Sequence, residues 1–282
     1  MKIAIASGKG GTGKTFVATN LFKALKDSGY GVMLVDCDAE APNALVFFNS
    51  QQVDCIEVTQ LVPVIDSSKC NFCGKCQEYC SYNAIFLIPS LQIIRVMEDL
   101  CHACGACLHA CDQGAITEKK LILGQISSYT LNGKIDLVEA RTRVGSMTPV
   151  PAIKLAIKLI NNQVNTVIFD APPGTSCPFI HTVAEADYVI LVTEPTPFGL
   201  SDLKRSIEAL KQIDKPFGVI VNRAGIGNNE VYQYLDYEGI PLLMEIPFNK
   251  QIARMYSNGE LVIDNMPILK QQFLETFEKI SK

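Results

Sequence analysis

Residues 7–15 read SGKGGTGKT. One short apolar run, Lys2–Ala6, precedes this stretch, and helical periodicity from about Lys14 to Asp27 follows it. A buried strand, a glycine-rich turn and a helix in that order commit the chain to an α/β layout. Gly8, Lys9, Gly10, Gly11, Thr12, Gly13, Lys14 and Thr15 satisfy the pattern G-x-x-x-x-G-K-S/T. Its glycines let backbone N–H groups converge on phosphate oxygens, and the helix N-terminus adds its dipole. In such a loop Lys14 is expected to reach the β- and γ-phosphates of a nucleotide, and the Thr15 hydroxyl to help hold Mg²⁺.

The apolar rhythm continues with a second buried strand over 31–36, and a parallel sheet covered by helices follows from the alternation. It resumes with a helix at 151–162, a strand at 166–170, a helix at 178–186, a strand at 188–193, a helix at 199–213 and a strand at 217–222. A last helix is expected at 267–281. The stretch 58–118 breaks the rhythm and carries a repeat offset by 31 residues. Cys70, Cys73, Gly74, Cys76, Cys80, Ala84 and Ile85 recur as Cys101, Cys104, Gly105, Cys107, Cys111, Ala115 and Ile116. The division expected is a nucleotide domain over 1–57 and 119–282, with a small module inserted at 58–118.

K-G-G-x-G-K-T resembles the deviant Walker A motif of the superfamily of MinD, ParA and the nitrogenase iron protein. The resemblance implies an α/β P-loop NTPase with a mostly parallel sheet flanked by helices. It also implies a homodimer that sandwiches ATP, with Lys9 reaching across to the partner's nucleotide. Asp38, in VDCD, matches the switch I aspartate that orients the attacking water, and Asn43 sits at the matching offset beyond it. Asp170 ends the apolar strand VIFD in the Walker B form and joins Thr15 and Asp38 in the expected Mg²⁺ set. Gly174, in APPG, resembles switch II and is expected to offer its N–H to the γ-phosphate. Asn222 and Arg223 resemble a base-recognition site, with Pro247 beside the base. Taken singly, an Asp or Asn at a strand end is an ordinary cap or turn residue.

Each cysteine run, CNFCGKCQEYC and CHACGACLHAC, has the spacing C-x₂-C-x₂-C-x₃-C, which resembles the bacterial two-cluster ferredoxin pattern. The resemblance implies two 4Fe–4S clusters in an inserted α+β module. Cys70, Cys73, Cys76 and Cys111 would hold one, and Cys101, Cys104, Cys107 and Cys80 the other. Zinc fits C-x₂-C pairs as well. The proline that usually follows the fourth cysteine is replaced by Ser81 and Asp112. His102 and His109 read as exposed or hydrogen-bonding neighbours of ligands. Cys177 lies where the nitrogenase iron protein has a cluster cysteine, but Val144-Gly145-Ser146 has serine where that protein's other ligand stands. A subunit-bridging cluster there would lack half its ligands; packing under the switch is the expectation for Cys177, with binding of a transient metal or cluster as the alternative, and Cys37 and Cys55 read as small apolar residues.

The formal charge of −4 and the lack of a dense Lys/Arg run disfavour a nucleic-acid partner. Over 62–118 the balance is −3, which suits a partner with a basic docking face and equally an ordinary solvated surface. No apolar stretch reaches the roughly 18–20 residues of a membrane span, and the N-terminal residues do not form a signal peptide. The tail KQQFLETFEKISK puts Phe273, Phe277 and Ile280 on one face with balanced charge, so it reads as a core helix. Tight cysteine spacing speaks for metal ligation in a reducing cytoplasm rather than for disulfides.

The function expected is that of an ATP/ADP-binding, Mg²⁺-dependent ATPase, slow without its partner. Nucleotide-driven dimerisation would be coupled to electron transfer, or to metallocluster assembly or delivery to a partner protein. The alternatives are a MinD/ParA-like positioning ATPase with clusters as redox sensor, and an iron–sulfur cluster carrier.

Overall fold

The computed structural model describes residues 1–160 and 164–281. The chain divides into two compact units. One comprises Met1–Ile56, Gln125–Arg141 and Pro149–Lys282; the other comprises Glu57–Gly124 and Thr142–Thr148.

In the first unit β1 (Lys2–Ala6) leads through the glycine-rich loop into α1 (Lys14–Asp27), and β2 (Val32–Asp36) follows. A 3-10 turn at Ala44–Phe47 comes before β3 (Gln51–Ile65), which carries the chain out to the second unit. There α2 (Lys75–Glu78), β4 (Ile85–Ile88), β5 (Ile93–Val96) and α3 (Ala106–Ala110) form. The chain returns along β6 (Ile116–Thr130) and β7 (Ile135–Thr142). Then come α4 (Val150–Lys158), β8 (Thr166–Asp170), α5 (Cys177–Ala184), β9 (Tyr188–Thr193) and α6 (Pro197–Gln212). The chain closes with β10 (Phe217–Ala224), α7 (Glu230–Tyr237), β11 (Leu242–Pro247), α8 (Lys250–Ser257) and α9 (Pro267–Ile280).

The strand order is β11-β10-β9-β1-β8-β2-β7, with β6 and β3 next. Every pairing from β11 to β7 is parallel. Such strands are covered on both faces and read as unbroken apolar runs, which is why KIAIA, VMLVD and TVIFD were legible. The register sets Asp36 beside Asp170 on one side and beside Glu139 on the other. Asp36 and Asp170 thus end neighbouring strands, with Glu139 alongside in the middle of β7.

The sequence reading did not foresee β3, β6 and β7. The first seven residues of β3 are all exposed, so neither alternation nor a continuous apolar run marks them. For α4, the expected final residues 161–162 lie outside the described residues. The tail is the core helix expected, with Phe273 fully buried and Phe277 nearly so.

α1 begins without a side-chain cap, on Gly13 at φ 103°. A Cβ there would stand 2.3 Å from Asn222 Nδ2, so the position needs glycine for conformation and for space. α6 begins on Thr196, whose hydroxyl accepts from Gly199 N–H at 3.0 Å, with Pro197 in its first turn. No helix among the described residues is long and apolar enough to cross a membrane.

The second unit is an antiparallel β4–β5 hairpin with two short helices, each entered through a positive-φ glycine, Gly74 and Gly105. The repeat is conformational too: Phe72 and Ala103 share φ near 50°, and Asn83 matches Gly114. Its core cluster consists of Cys76, Ile85 and Ile116, with Ile65, Ile94, Cys107 and Cys111 packed against it. An apolar core that small leaves a domain dependent on a bound group or cross-link for stability.

Phe273→Ala should cost about 3–5 kcal/mol, as expected for deleting a fully buried ring. Urea unfolding of the wild type and the variant measures it, and a change below about 1 kcal/mol would place the ring outside the core.

Candidate nucleotide and sulfur sites

The β1–α1 loop, the end of β2 and the end of β8 converge around Lys14, which is buried. Burial pushes its ammonium pKa down, and Asp170, Asp38 and Asp36 pull it back. Thr15 Oγ1 donates to Asp170 Oδ2 at 2.6 Å. The other oxygen, Asp170 Oδ1, is buried without a hydrogen-bond partner among the described residues. An orphaned carboxylate oxygen beside a Thr hydroxyl fits a hydrated Mg²⁺. Burial is the chief cause that raises Asp170 to about 7; Thr15 and Lys14 oppose it and Asp38 adds to it. Asp38 is half-buried, and burial raises its pKa against the pull of Lys14.

Asp36 was passed over in the sequence, although it is the first acid of VDCD. It is fully buried and accepts three backbone N–H groups: Asp38 at 3.1 Å, Asn43 at 2.9 Å and Ala44 at 2.9 Å. One carboxylate therefore shapes the whole segment after β2. Burial, then Asp170, pushes its pKa well up.

Two groups expected to touch nucleotide have other partners here. Gly174, at φ 93°, gives its N–H to the Ser7 carbonyl at 3.0 Å. Lys9 Nζ lies 3.5 Å from Glu194 Oε2, while Arg223 holds Glu194 Oε1 at 2.5 Å. The side chain of Glu194 is only 9% exposed, so Arg223 neutralises it whether or not Lys9 stays. Glu194 was not singled out in the sequence; an acid closing the apolar run YVILVT was its one signal.

Asn222 was expected to pair with a base. Its Nδ2 donates instead to the Thr12 carbonyl at 2.8 Å, and its Oδ1 accepts from Arg223 N–H at 2.9 Å. The amide stitches β10 to the phosphate loop. Even so, Asn222, Arg223 and Pro247 line one cleft of about 340 Å³, together with Phe16, Phe248 and Tyr256. Tyr256 stacks on Phe47 of the 3-10 turn, ring centroids 5.0 Å apart, and meets Phe16 edge-on at 5.9 Å. No local pattern signals this pairing, because the three rings lie far apart along the chain.

In the second unit Cys70, Cys73, Cys76 and Cys111 line one hollow, and Cys80, Cys101, Cys104 and Cys107 line another. Each gathers three thiols from one run and the last thiol of the other run. Backbone donors face the sulfurs: Phe72 N–H to Cys70 Sγ at 3.4 Å, Ala103 N–H to Cys101 Sγ at 3.4 Å, and Ala84 N–H to Cys80 Sγ at 3.3 Å. Such donors stabilise ligating sulfur. Among the described residues no group of His, Cys, Asp or Glu converges closely enough to hold a single metal ion. His102 is exposed and stacks on Tyr82 with centroids 3.8 Å apart, and His109 is exposed.

Of the remaining cysteines, Cys37 is buried as a small apolar residue would be, but Cys55 and Cys177 are exposed, against the expectation of packing. α5 turns Phe179, Thr182 and Val183 inward, which leaves Cys177, its first residue, outside. Ser146, in the second unit, donates to the Thr148 carbonyl at 3.4 Å.

A carboxyl raised on folding binds more protons folded than unfolded, so stability falls as pH rises between the two pKa values. For Asp170 that window runs from about 4 in the unfolded chain to about 7 in the folded one. Without nucleotide and Mg²⁺, wild-type stability should fall across this window relative to Asp170→Asn, by at most about 1.4 kcal/mol per pH unit for one proton. Urea midpoints of both proteins across that range measure it, and a relative rise would contradict the assignment.

The profile of the CobQ/CobB/MinD/ParA nucleotide binding domain matches residues 3–262. An uncharacterized protein of Methanocaldococcus jannaschii is 33% identical over 269 residues, 92% of this chain and 90% of that one. An iron-sulfur cluster carrier protein of Aquifex aeolicus is 22% identical over 94% of this chain and 62% of its own length. Among solved structures, the septum site-determining protein MinD of Pyrococcus horikoshii, complexed with Mg-ADP, aligns at a TM-score of 0.61. It covers 100% of this chain and 96% of that one at 21% identity, a likeness of fold. With a mostly parallel sheet, a phosphate loop between β1 and α1 and a profile that spans most of its length, the chain belongs to the CobQ/CobB/MinD/ParA family of P-loop nucleotide-binding ATPases.

Proposed function

We propose that this chain is an ATPase that closes into a homodimer around ATP and uses that closure to control an iron–sulfur electron-transfer module. The observation that carries the reading is the pair of four-cysteine hollows in a chain that also has the phosphate loop. Thr15 and Asp170 hold Mg²⁺, Lys14 holds the β- and γ-phosphates, and Asp38 orients the water. Lys9 leaves Glu194 and reaches the partner subunit's nucleotide, and Gly174 leaves Ser7 for the γ-phosphate. The cleft of Phe16, Asn222, Pro247 and Tyr256 takes the base. Cys70, Cys73, Cys76 and Cys111 hold one 4Fe–4S cluster, and Cys80, Cys101, Cys104 and Cys107 the other. When bound, such clusters supply one-electron chemistry.

The coupling follows the chain. Asp36 fixes the segment after β2 by three hydrogen bonds, Phe47 stacks on Tyr256 in the base cleft, and β3 begins at Gln51 and leads to the cysteines. A nucleotide that favours one arrangement of this segment biases whatever β3 carries, by its differential affinity alone. Resident clusters are favoured over cargo because each hollow has its full set of four thiols from one chain.

The second reading is a cluster carrier, supported by relatives with that printed name and by the exposed Cys177. Transfer of labelled iron to an apo acceptor protein, lost in Cys177→Ser, would favour the carrier. Retention of all iron would favour the electron-transfer module.

Lys14→Ala should abolish ATP binding, read by calorimetry, while the iron and acid-labile sulfide content of anaerobically purified protein stays at the wild-type level. Lys9→Ala should leave nucleotide binding to the monomer intact and weaken ATP-dependent dimerisation at least tenfold, read by analytical ultracentrifugation. Wild-type protein without iron and sulfide would overturn the cluster assignment, and an unchanged Lys9→Ala dimer would overturn the sandwich.

A further inference from the structure

The two cysteine hollows are related by the 31-residue offset nearly position for position, so departures from that symmetry stand out. Lys75 lines the Cys70 hollow, and its counterpart at the other is Ala106. Glu118 lines the Cys101 hollow, and the residue at its offset is Leu87. The charged side chains that line the two hollows therefore differ in sign, a lysine at one and a carboxylate at the other. Lys75 is ion-paired with Asp112, but only Lys75 is in the wall of the hollow. Among the described residues no ion pair involves Glu118, and the neighbouring Lys119 pairs with Glu98 instead. The Cys101 hollow is also walled by the stacked rings of Tyr82 and His102, where the other has the amides Gln113 and Asn71.

We infer that the repeat is broken to make the two clusters unequal, with the Cys101 set at the lower reduction potential and the Cys70 set at the higher. The inference rests on the cluster reading proposed above. Reduction adds one negative charge and breaks no bond. Lys75 favours that charge at one hollow, and Glu118 opposes it at the other. Charge beside the ligating sulfurs is one of the terms that set cluster potentials. One electron shared by the pair passes from the Cys101 set, which is oxidised by one, to the Cys70 set, which is reduced by one, with no proton moved. The module thus has a downhill direction built into it, and a one-electron donor delivers most favourably at the Cys101 end.

The test is an anaerobic potentiometric titration of the full chain followed by EPR, for wild type, Glu118→Gln and Lys75→Gln. Wild type should show two distinct midpoint potentials. Glu118→Gln should raise the lower one and leave the higher in place. Lys75→Gln, which leaves Asp112 unneutralised on the rim, should lower the higher one and leave the lower in place. If Glu118→Gln sheds iron, Glu118→Leu takes its place, restoring the residue type that the other half carries. Coincident wild-type potentials overturn the inference, as does a substitution that moves both potentials equally, neither, or the wrong one. Protein with no iron and sulfide removes the cluster reading and this inference together; iron with coincident potentials removes this inference alone.

Discussion

A buried ammonium among three carboxyl groups is the constraint on which the first unit depends. Lys14 is the first residue of α1, Asp36 ends β2 with Asp38 two residues beyond it, and Asp170 ends β8. No member can be buried alone, because an unpaired charge in that position costs several kcal/mol. The parallel pairing of β1 with β8 and of β8 with β2 brings them together, and burial in turn leaves one oxygen of Asp170 without a partner. A site so short of hydrogen bonds is poised for a cation and a phosphate. Part of the shortage is met internally, with Ser7 accepting the Gly174 N–H and Glu194 accepting Lys9. These contacts are replaceable: Ser7 offers an ordinary carbonyl, and Glu194 keeps Arg223 when Lys9 departs.

The second unit faces a different shortage. Its core cluster is two isoleucines and one cysteine, and the residues that complete it are partly the thiols themselves. Domains with so small a core cluster are commonly reinforced by a bound group or a cross-link. Cluster binding would then be folding free energy, as in other small metal-dependent domains. Backbone N–H groups already aimed at Cys70, Cys80 and Cys101, together with positive-φ glycines at Gly74 and Gly105, mean that the hollows are shaped by local chain geometry rather than by the core.

What the sequence made legible was what lies close together along the chain. The phosphate loop, the strands of five or six apolar residues and the 31-residue repeat are local patterns with local causes; α1, α5, α6 and α9 were legible to within about two residues, whereas α7 and α8 were not. What stayed hidden was long-range. Lys9 and Glu194, Thr12 and Asn222, and Phe47 and Tyr256 meet only through the sheet. β3 went unseen because its outer residues are solvated, and Asp36 because the motif points to its neighbour Asp38. Cys177 was misplaced for a related reason: which face of an eight-residue helix turns inward is decided by the elements packed against it.

These two shortages meet in the segment from Asp36 to Gln51, which is tied to the phosphate site at one end by hydrogen bonds and continues into β3 at the other. The central claim is that nucleotide bound in the first unit is felt at the cysteines of the second. Its most direct test is to record the reduction potentials and EPR line shapes of the anaerobic protein with and without ATP and Mg²⁺. The account predicts a nucleotide-dependent change in at least one centre, abolished by Lys14→Ala. Identical potentials and spectra in both conditions, in protein that demonstrably binds ATP, would contradict it.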